Sequence, residues 1–151
     1  RIILNGGKIY LIPGVVTEYV ARDSIPKMCR MLFQYGYFKP LTLIKLGRPA
    51  TIRQFVPPVF VLCVFFLPVL MLLSTAFAIL WLSIVVLYIM AVSFATFRLS
   101  LRIGFNKFFY LFSGFVGAHF SYGIGYLKGV VDFFIRRVHL KSKIGVPSNS
   151  R

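Results

Sequence analysis

The longest uncharged run of the chain decides which environment the chain can fold in. The range 55–97 holds 43 consecutive residues without Asp, Glu, Lys or Arg. One helix of that length would measure about 64 Å, twice the roughly 30 Å hydrocarbon core of a bilayer. Two membrane-spanning helices joined by a tight turn fit the run better. Because Ser74 and Thr75 form its most polar point, we predict spans over 55–73 and 76–97.

A third apolar segment follows and differs from the first two in composition. Its first 20 residues, 108–127, carry no formal charge. Small residues recur in it at every fourth position: Ser113, Gly117, Ser121, Gly125 and Gly129. They line one helix face, which lets another helix approach closely inside a membrane. We therefore predict a third span over 108–129, a transmembrane region of 55–131 and a basic tail of 132–151.

The cations flank these apolar runs and never enter them. The chain is 58% hydrophobic and 14% charged, with 18 Lys and Arg against 3 Asp and Glu. A soluble domain has about 45–50% apolar and about 25% charged residues. Nine cations precede Gln54, three lie within 98–107, and six lie from Lys128 onward. This distribution favours an anionic membrane surface over nucleic acid, which requires cations along one soluble face.

The same charges constrain the orientation of the chain in the membrane. The positive-inside rule places residues 1–53 and the loop 98–107 in the cytoplasm. Three full spans then send the cationic tail to the opposite side, against that rule. Two solutions stay open: the third segment crosses and breaks the rule, or it is re-entrant or lies on the surface. We expect a full span.

The first 54 residues combine strand signals with one amphipathic helix. Residues 9–12 and 15–20 have the composition of short strands. Ser24 is a helix-capping residue, and we predict a helix over 25–38 that stops by Pro40. Basic residues alternate there with apolar and aromatic ones, which is typical of a helix in the membrane interface. The alternative is a helix packed on a soluble domain.

Few side chains of this chain can perform chemistry. The three acidic residues are widely scattered, and no phosphate-binding loop, metal-ligand cluster or catalytic triad spacing is present. His119 is the one ionisable residue of a predicted span, with Tyr122 nearby, and such a residue is a functional candidate. A neutral histidine bonded to a neighbouring Ser or backbone carbonyl is the structural alternative, which we favour. The chain alone is not expected to catalyse a reaction.

Short motifs then occur in a definite order: GGKIY at 6–10, RDS at 22–24, FQYGYFK at 33–39, RQ at 53–54 before PP at 57–58, and HFSYGIGYLKG at 119–129. This order resembles the end of the catalytic domain, and the last membrane segment, of bacterial inverting family 2 glycosyltransferases of the succinoglycan-biosynthesis type. The resemblance covers most of this chain but only the C-terminal part of the family's length. Because Arg1 is not a methionine, we expect the chain to be part of a longer protein.

The resemblance implies a GT-A nucleotide-binding domain ahead of Arg1, of which residues 1–54 would be the end. That α/β domain would supply the catalytic base and the Asp-x-Asp that binds Mg²⁺ or Mn²⁺, so neither would lie in this chain. Gln34, Tyr37 and Phe38 align with the family's Gln/Arg-x-x-Arg-Trp motif, with Tyr37 replacing Arg and Phe38 replacing Trp. The expected fold is thus three transmembrane helices preceded by the end of an α/β domain.

By the same resemblance, the whole enzyme transfers a sugar from a nucleotide-sugar donor to a polyprenyl-diphosphate-linked acceptor at the bacterial inner membrane. The acceptor's diphosphate lies at the membrane surface, within reach of cations that we predict to contact it: Lys39, Lys45, Arg48 and Arg53. One rival is a small non-enzymatic membrane protein, such as an assembly or transport subunit. The predicted strands argue against this rival because a strand pair needs a domain to pack on. Another rival is a flippase-like channel of oligomers that uses the His119 face.

Overall fold

The computed structural model describes residues 6–10, 12–16, 18, 22–47 and 51–136. Four α-helices account for most of them: α1 (Ile25–Leu46), α2 (Val56–Leu70), α3 (Thr75–Ile103) and α4 (Phe108–Val130). Short 3-10 helices precede α2 and α4, at Ile52–Phe55 and Phe105–Lys107, and a π-helical turn, Val131–Ile135, follows α4. The described part of the chain is therefore helical throughout its regular structure.

The strands predicted over 9–12 and 15–20 are wrong at every position of those segments that the structure describes. The apolar side chains there stand in solvent; Tyr10, for example, is 79% exposed and Val16 is 89% exposed. A strand pair is stable only when a sheet or helix covers it, and none of the described elements covers these side chains. The α/β domain expected ahead of the helices therefore stays a prediction.

Helix α1 is eight residues longer than predicted. It continues through Pro40 and ends where Gly47 adopts a φ of 69° and donates its N–H to the Leu43 carbonyl. Glycine enters this left-handed conformation without steric cost, so Gly47 and not Pro40 stops the helix. Ser24 precedes α1, as predicted, but its hydroxyl makes no capping hydrogen bond.

Helices α2 and α3 form an apolar hairpin and are the two candidate membrane-spanning helices of the described residues. Two described stretches are long and apolar enough to cross a bilayer: Ile52–Leu70, which is α2 with the 3-10 helix before it, and α3. Within their most apolar windows only 17% and 6% of the residues are buried inside the protein. A core helix of a soluble protein would be mostly buried, so these surfaces suit lipid. The hairpin coincides with the predicted spans 55–73 and 76–97. Helix α3 continues six residues further, and its 29 residues measure about 44 Å.

A proline inside α2 is accommodated by a side chain of α3. Pro68 lacks the N–H that would pair with the carbonyl of Val64, four residues earlier. The indole Nε1 of Trp81 donates to that carbonyl across the hairpin, at 3.1 Å. Because a freed carbonyl in lipid needs another donor, this hydrogen bond lets α2 keep its proline. It also fixes the register of the two helices.

Helices α1 and α4 pack along each other in the same direction. A Cβ atom added at Gly117 would lie 2.8 Å from Sγ of Cys29, and one added at Gly125 or Gly129 would overlap the backbone of α1. The partners on α1 advance in step with the glycines of α4, which makes the two helices parallel. The predicted close approach at the small-residue face is therefore confirmed, and its partner is α1.

Helix α2 crosses α4 near Gly123. A Cβ atom there would lie 2.5 Å from Cγ2 of Val61 and 2.7 Å from the carbonyl oxygen of Pro57. Aromatic rings extend this crossing on either side: Phe55 lies 5.8 Å from Tyr126 between ring centroids. Glycines thus let α4 approach two different helices on two sides.

Candidate functional site

One groove brings together four of the side chains that the sequence singles out: Gln34, Phe38, Lys39 and Tyr122. It runs along α1 beside α4, encloses about 560 Å³, and is hereafter the α1 groove. Its lining residues are Leu32, Gln34, Tyr35, Phe38, Lys39, Thr42 and Tyr122. Helical spacing explains the set, because residues three and four apart share a face of α1, and the close α1–α4 packing adds Tyr122.

The α1 groove continues into a cationic end nearer the start of the helix. Arg22, Lys27 and Arg30 line that end together with Gln34, which belongs to both parts. Lys27 forms an exposed ion pair with Asp23 at 2.9 Å, which is worth little in water. Neither ion pair of the described residues involves Arg30 or Lys39. The strip therefore joins positive charge to an aromatic, apolar surface, which is the composition that binds a phosphate carried on an apolar group.

The predicted motif residues divide between two sides of α1. Gln34 and Phe38 line the α1 groove with Lys39. Tyr37 points away from it, because its hydroxyl donates to Oδ2 of Asp132 at 3.1 Å. Tyr37 and Gln34 therefore face different surroundings on α1.

A compact polar cluster surrounds Tyr37 and joins α1 to the end of α4. Nζ of Lys128 lies 5.8 Å from the centre of the Tyr37 ring, and Arg136 pairs with Asp132 at 3.6 Å. The side chain of Asp132 is only 13% exposed, so the Tyr37 hydroxyl and Arg136 satisfy a nearly buried carboxylate. Burial, then the hydrogen bond and the charge of Asp132, raises the pKa of Tyr37 above its usual value of 10.0.

The remaining predicted cations lie apart from the α1 groove. Lys45 is exposed near the end of α1, and Arg53 is exposed in the 3-10 helix before α2; neither lines the groove. Arg48 and the tail beyond residue 136 lie outside the described residues. Of the three predicted phosphate contacts that the structure describes, Lys39 alone lies beside the other candidate residues.

His119 makes the kind of hydrogen bond that the structural interpretation predicts. Its Nδ1 lies 2.9 Å from the carbonyl oxygen of Phe115, which can only accept, so Nδ1 carries the proton. The hydroxyl of Tyr88 on α3 lies 3.5 Å from the same nitrogen. The imidazole is thus held within its own helix and against α3, away from the α1 groove.

Sequence reasoning missed Tyr35 and Thr42 in the groove and the whole Tyr37–Asp132 cluster. The helical period does place Tyr35 and Thr42 beside Phe38, but the predicted stop at Pro40 hid Thr42. The Tyr37–Asp132 pair spans 95 positions, and no local pattern reveals such a contact. In the described residues, no group of three His, Cys, Asp or Glu side chains is placed to hold a metal ion.

The chain matches no protein-family model, no curated protein and no solved structure.

Proposed function

We propose that this chain is the membrane-attached part of a bacterial inner-membrane glycosyltransferase of family 2. The whole enzyme would transfer a sugar from a nucleotide-sugar donor to a polyprenyl-diphosphate-linked acceptor in polysaccharide biosynthesis. The catalytic base and the ligands of a Mg²⁺ or Mn²⁺ ion would come from a GT-A domain outside this chain. Residues 1–54 would then be cytoplasmic and present the acceptor-side surface.

One observation carries the proposal: Gln34, Phe38, Lys39 and Tyr122 line the same α1 groove. Three of them belong to the motif region or to the predicted phosphate contacts, and the fourth comes from α4. A diphosphate accepts charge-assisted hydrogen bonds from an ammonium group, while the first isoprene units of its lipid need an apolar wall. Lys39 supplies the ammonium group, and the side chains of Phe38, Tyr35 and Leu32 supply the apolar wall.

Two lysines of α1 give a matched test of this role. We expect Lys39→Gln, in the full-length protein in native membranes, to raise KM for the lipid acceptor about tenfold, because a charge-assisted hydrogen bond contributes about 1.5–3 kcal/mol. KM for the sugar nucleotide should not change. Lys45→Gln, on the same helix but outside the groove, should change KM for the acceptor less than about twofold.

The assay measures transfer of radiolabelled sugar from a panel of nucleotide sugars to extractable polyprenyl-diphosphate lipid. Equal effects of the two substitutions would remove Lys39 from the acceptor site. No transfer by the full-length protein from any donor, and no Asp-x-Asp in the reading frame ahead of Arg1, would refute the enzyme assignment itself.

A second candidate is a non-enzymatic polytopic membrane protein, for instance an assembly or transport subunit. The observation in its favour is the exposed, non-strand conformation of the described residues before α1. A strand pair in this segment would require a domain to pack on, but the described residues before α1 form no strand. A reading frame that starts a few residues before Arg1 would establish this alternative.

A further inference from the structure

Both ends of α4 lie at the same end of the α2–α3 hairpin. Its first residue follows α3 after a four-residue connection, 104–107. Its last full turn lies beside the beginning of α2, where the rings of Tyr126 and Phe55 pack at 5.8 Å. The end of α3 and the beginning of α2 form the base of the hairpin, opposite the turn at 71–74. A helix crossing the bilayer beside this hairpin would instead end near that turn.

The middle of α4 contacts the middle of the hairpin. Phe120 lies 5.6 Å from Phe60 and 6.4 Å from Phe65 between ring centroids, and these two residues lie about 8 and about 15 Å beyond Phe55 along α2. His119 contacts Tyr88, which lies about 15 Å along α3 from Arg98, the first charged residue of that helix. An interfacial helix buries its apolar face about 5–10 Å into the bilayer. The middle of α4 therefore lies deeper than such a helix, while both of its ends stay at the base of the hairpin.

The charges of α1 oppose a position of this helix pair at the centre of the bilayer. Residues 25–37 of α1 run parallel to residues 117–129 of α4, so the two segments share one depth. This part of α1 carries the exposed cations Lys27 and Arg30, and each would cost about 2.5–3.5 kcal/mol at the centre of a bilayer. The rest of α4, residues 108–116, measures about 14 Å, half of what a crossing requires.

We infer that the chain crosses the membrane only twice, through α2 and α3, and that both ends of α4, with α1 packed beside it, lie at the anionic headgroup surface of one leaflet. Arg22–Gly47, the loop after α3 and Lys128–Arg136 then all face the side of the membrane that the positive-inside rule requires. With two crossings, the cationic C-terminal tail lies on the side that the positive-inside rule predicts, which three crossings do not allow. The partner of this surface is anionic lipid, because α1 presents exposed cations beside exposed Tyr35 and Phe38.

Cysteine labelling in intact cells tests the number of crossings. In the Cys29→Ala, Cys63→Ala background, a single cysteine is introduced by Ser74→Cys in the hairpin turn or by Ser150→Cys near the C-terminus. We expect a membrane-impermeant maleimide to label the first site at least about tenfold more than the second, and permeabilised cells to label both. Labelling of both sites in intact cells would establish a third crossing and overturn the inference.

A depth measurement tests the lipid contact separately. In the same background, Tyr35→Cys is labelled with a fluorophore and reconstituted in phosphatidylcholine–phosphatidylglycerol vesicles that carry bromine at shallow or deep acyl positions. We expect shallow bromines to quench more strongly, whereas a label at Leu87→Cys, on the exposed face of α3, should respond more to deep ones. No quenching at position 35, or deeper quenching, would overturn the surface placement. Neither measurement involves sugar transfer, so a failure of the topology can be told apart from a failure of the transfer assay.

Discussion

The hydrogen bond between Trp81 and the Val64 carbonyl yields a sharp prediction, because the need for it arises from a single proline. In Trp81→Phe the carbonyl of Val64 keeps no donor: residue 68 is a proline, and the indole N–H is gone. An unsatisfied acceptor costs about 1–3 kcal/mol when buried, and interhelical hydrogen bonds in membranes contribute about 0.6–1.7 kcal/mol. We therefore expect loss of this hydrogen bond to lower the free energy of unfolding of the hairpin by about 1 kcal/mol.

The lost packing of the indole must be separated from the lost hydrogen bond, and Pro68→Ala provides the means. Alanine at position 68 restores the N–H within α2, so Val64 no longer depends on Trp81. Pro68 is exposed, so its replacement disturbs little packing. The double-mutant cycle of Trp81→Phe and Pro68→Ala should give a coupling free energy of about 1 kcal/mol, or about fivefold in the unfolding equilibrium.

The assay is equilibrium unfolding of the purified protein in mixed micelles with increasing dodecyl sulfate. The reaction of Cys63, a free thiol on α2, with a fluorogenic maleimide reports unfolding without the tryptophan signal. If Trp81→Phe costs the same free energy in the proline and the alanine backgrounds, the hydrogen bond contributes nothing and the reasoning is refuted.

Three further perturbations test the α1–α4 contact, the Tyr37–Asp132 hydrogen bond and His119. Gly125→Ala should weaken α1–α4 packing by about 1–3 kcal/mol, because its Cβ would overlap the backbone of α1. The control is Gly114→Ala, which should be neutral or stabilising because nothing lies within 4 Å of that Cβ. Cys29 on α1 should react faster with a maleimide in Gly125→Ala than in Gly114→Ala, and equal labelling in both variants would contradict this prediction. Because the pKa of Tyr37 is raised in the folded chain, its stabilising effect is fully present below about pH 10 and is lost as the pH rises through the raised pKa. Tyr37→Phe should flatten the alkaline loss of stability, and an unchanged pH profile in thermal unfolding would argue against it. His119→Ala should leave sugar transfer by the full-length protein largely intact, whereas total loss with normal membrane insertion would make this histidine functional.

Sequence patterns predicted the structure correctly where a physical rule depends only on a short stretch of residues. The uncharged range 55–97 predicts the hairpin, because length and charge alone decide whether a helix can cross lipid. The small residues of α4 predict a close helix contact, because Gly117 and Gly125 share a face. The identity of the partner did not follow from sequence. Helix α1 precedes α4 by some 60 residues, and nothing in either segment specifies which helix fills the face.

The wrong predictions share one cause, because each rested on local sequence alone, whereas the tertiary packing decided the outcome. Pro40 marks a helix end by propensity, yet α1 continues because Pro40 is buried against the α4 backbone near Gly129. The segments 9–12 and 15–20 have strand composition, yet composition does not provide the layer that a strand requires. The groove was foreseen only in part, since Gln34 and Lys39 stand out by motif and charge whereas Tyr122 joins them only through the helix packing.

The surface placement of α1 and α4 bears on what the α1 groove can bind. If the two helices lie at the headgroup level, Lys39 and Tyr122 sit where the phosphates of any amphiphile in that leaflet are found, and no substrate has to leave the membrane to reach them. A groove inside a third crossing would need to draw a diphosphate into hydrocarbon, at a cost that one lysine does not offset. Two crossings therefore make a lipid-diphosphate acceptor physically reasonable, and three make it unfavourable. A finding that residue 150 lies across the membrane would consequently remove support from the acceptor role of Lys39 as well, whereas a cytoplasmic residue 150 would leave that role to be decided by the comparison of Lys39→Gln with Lys45→Gln.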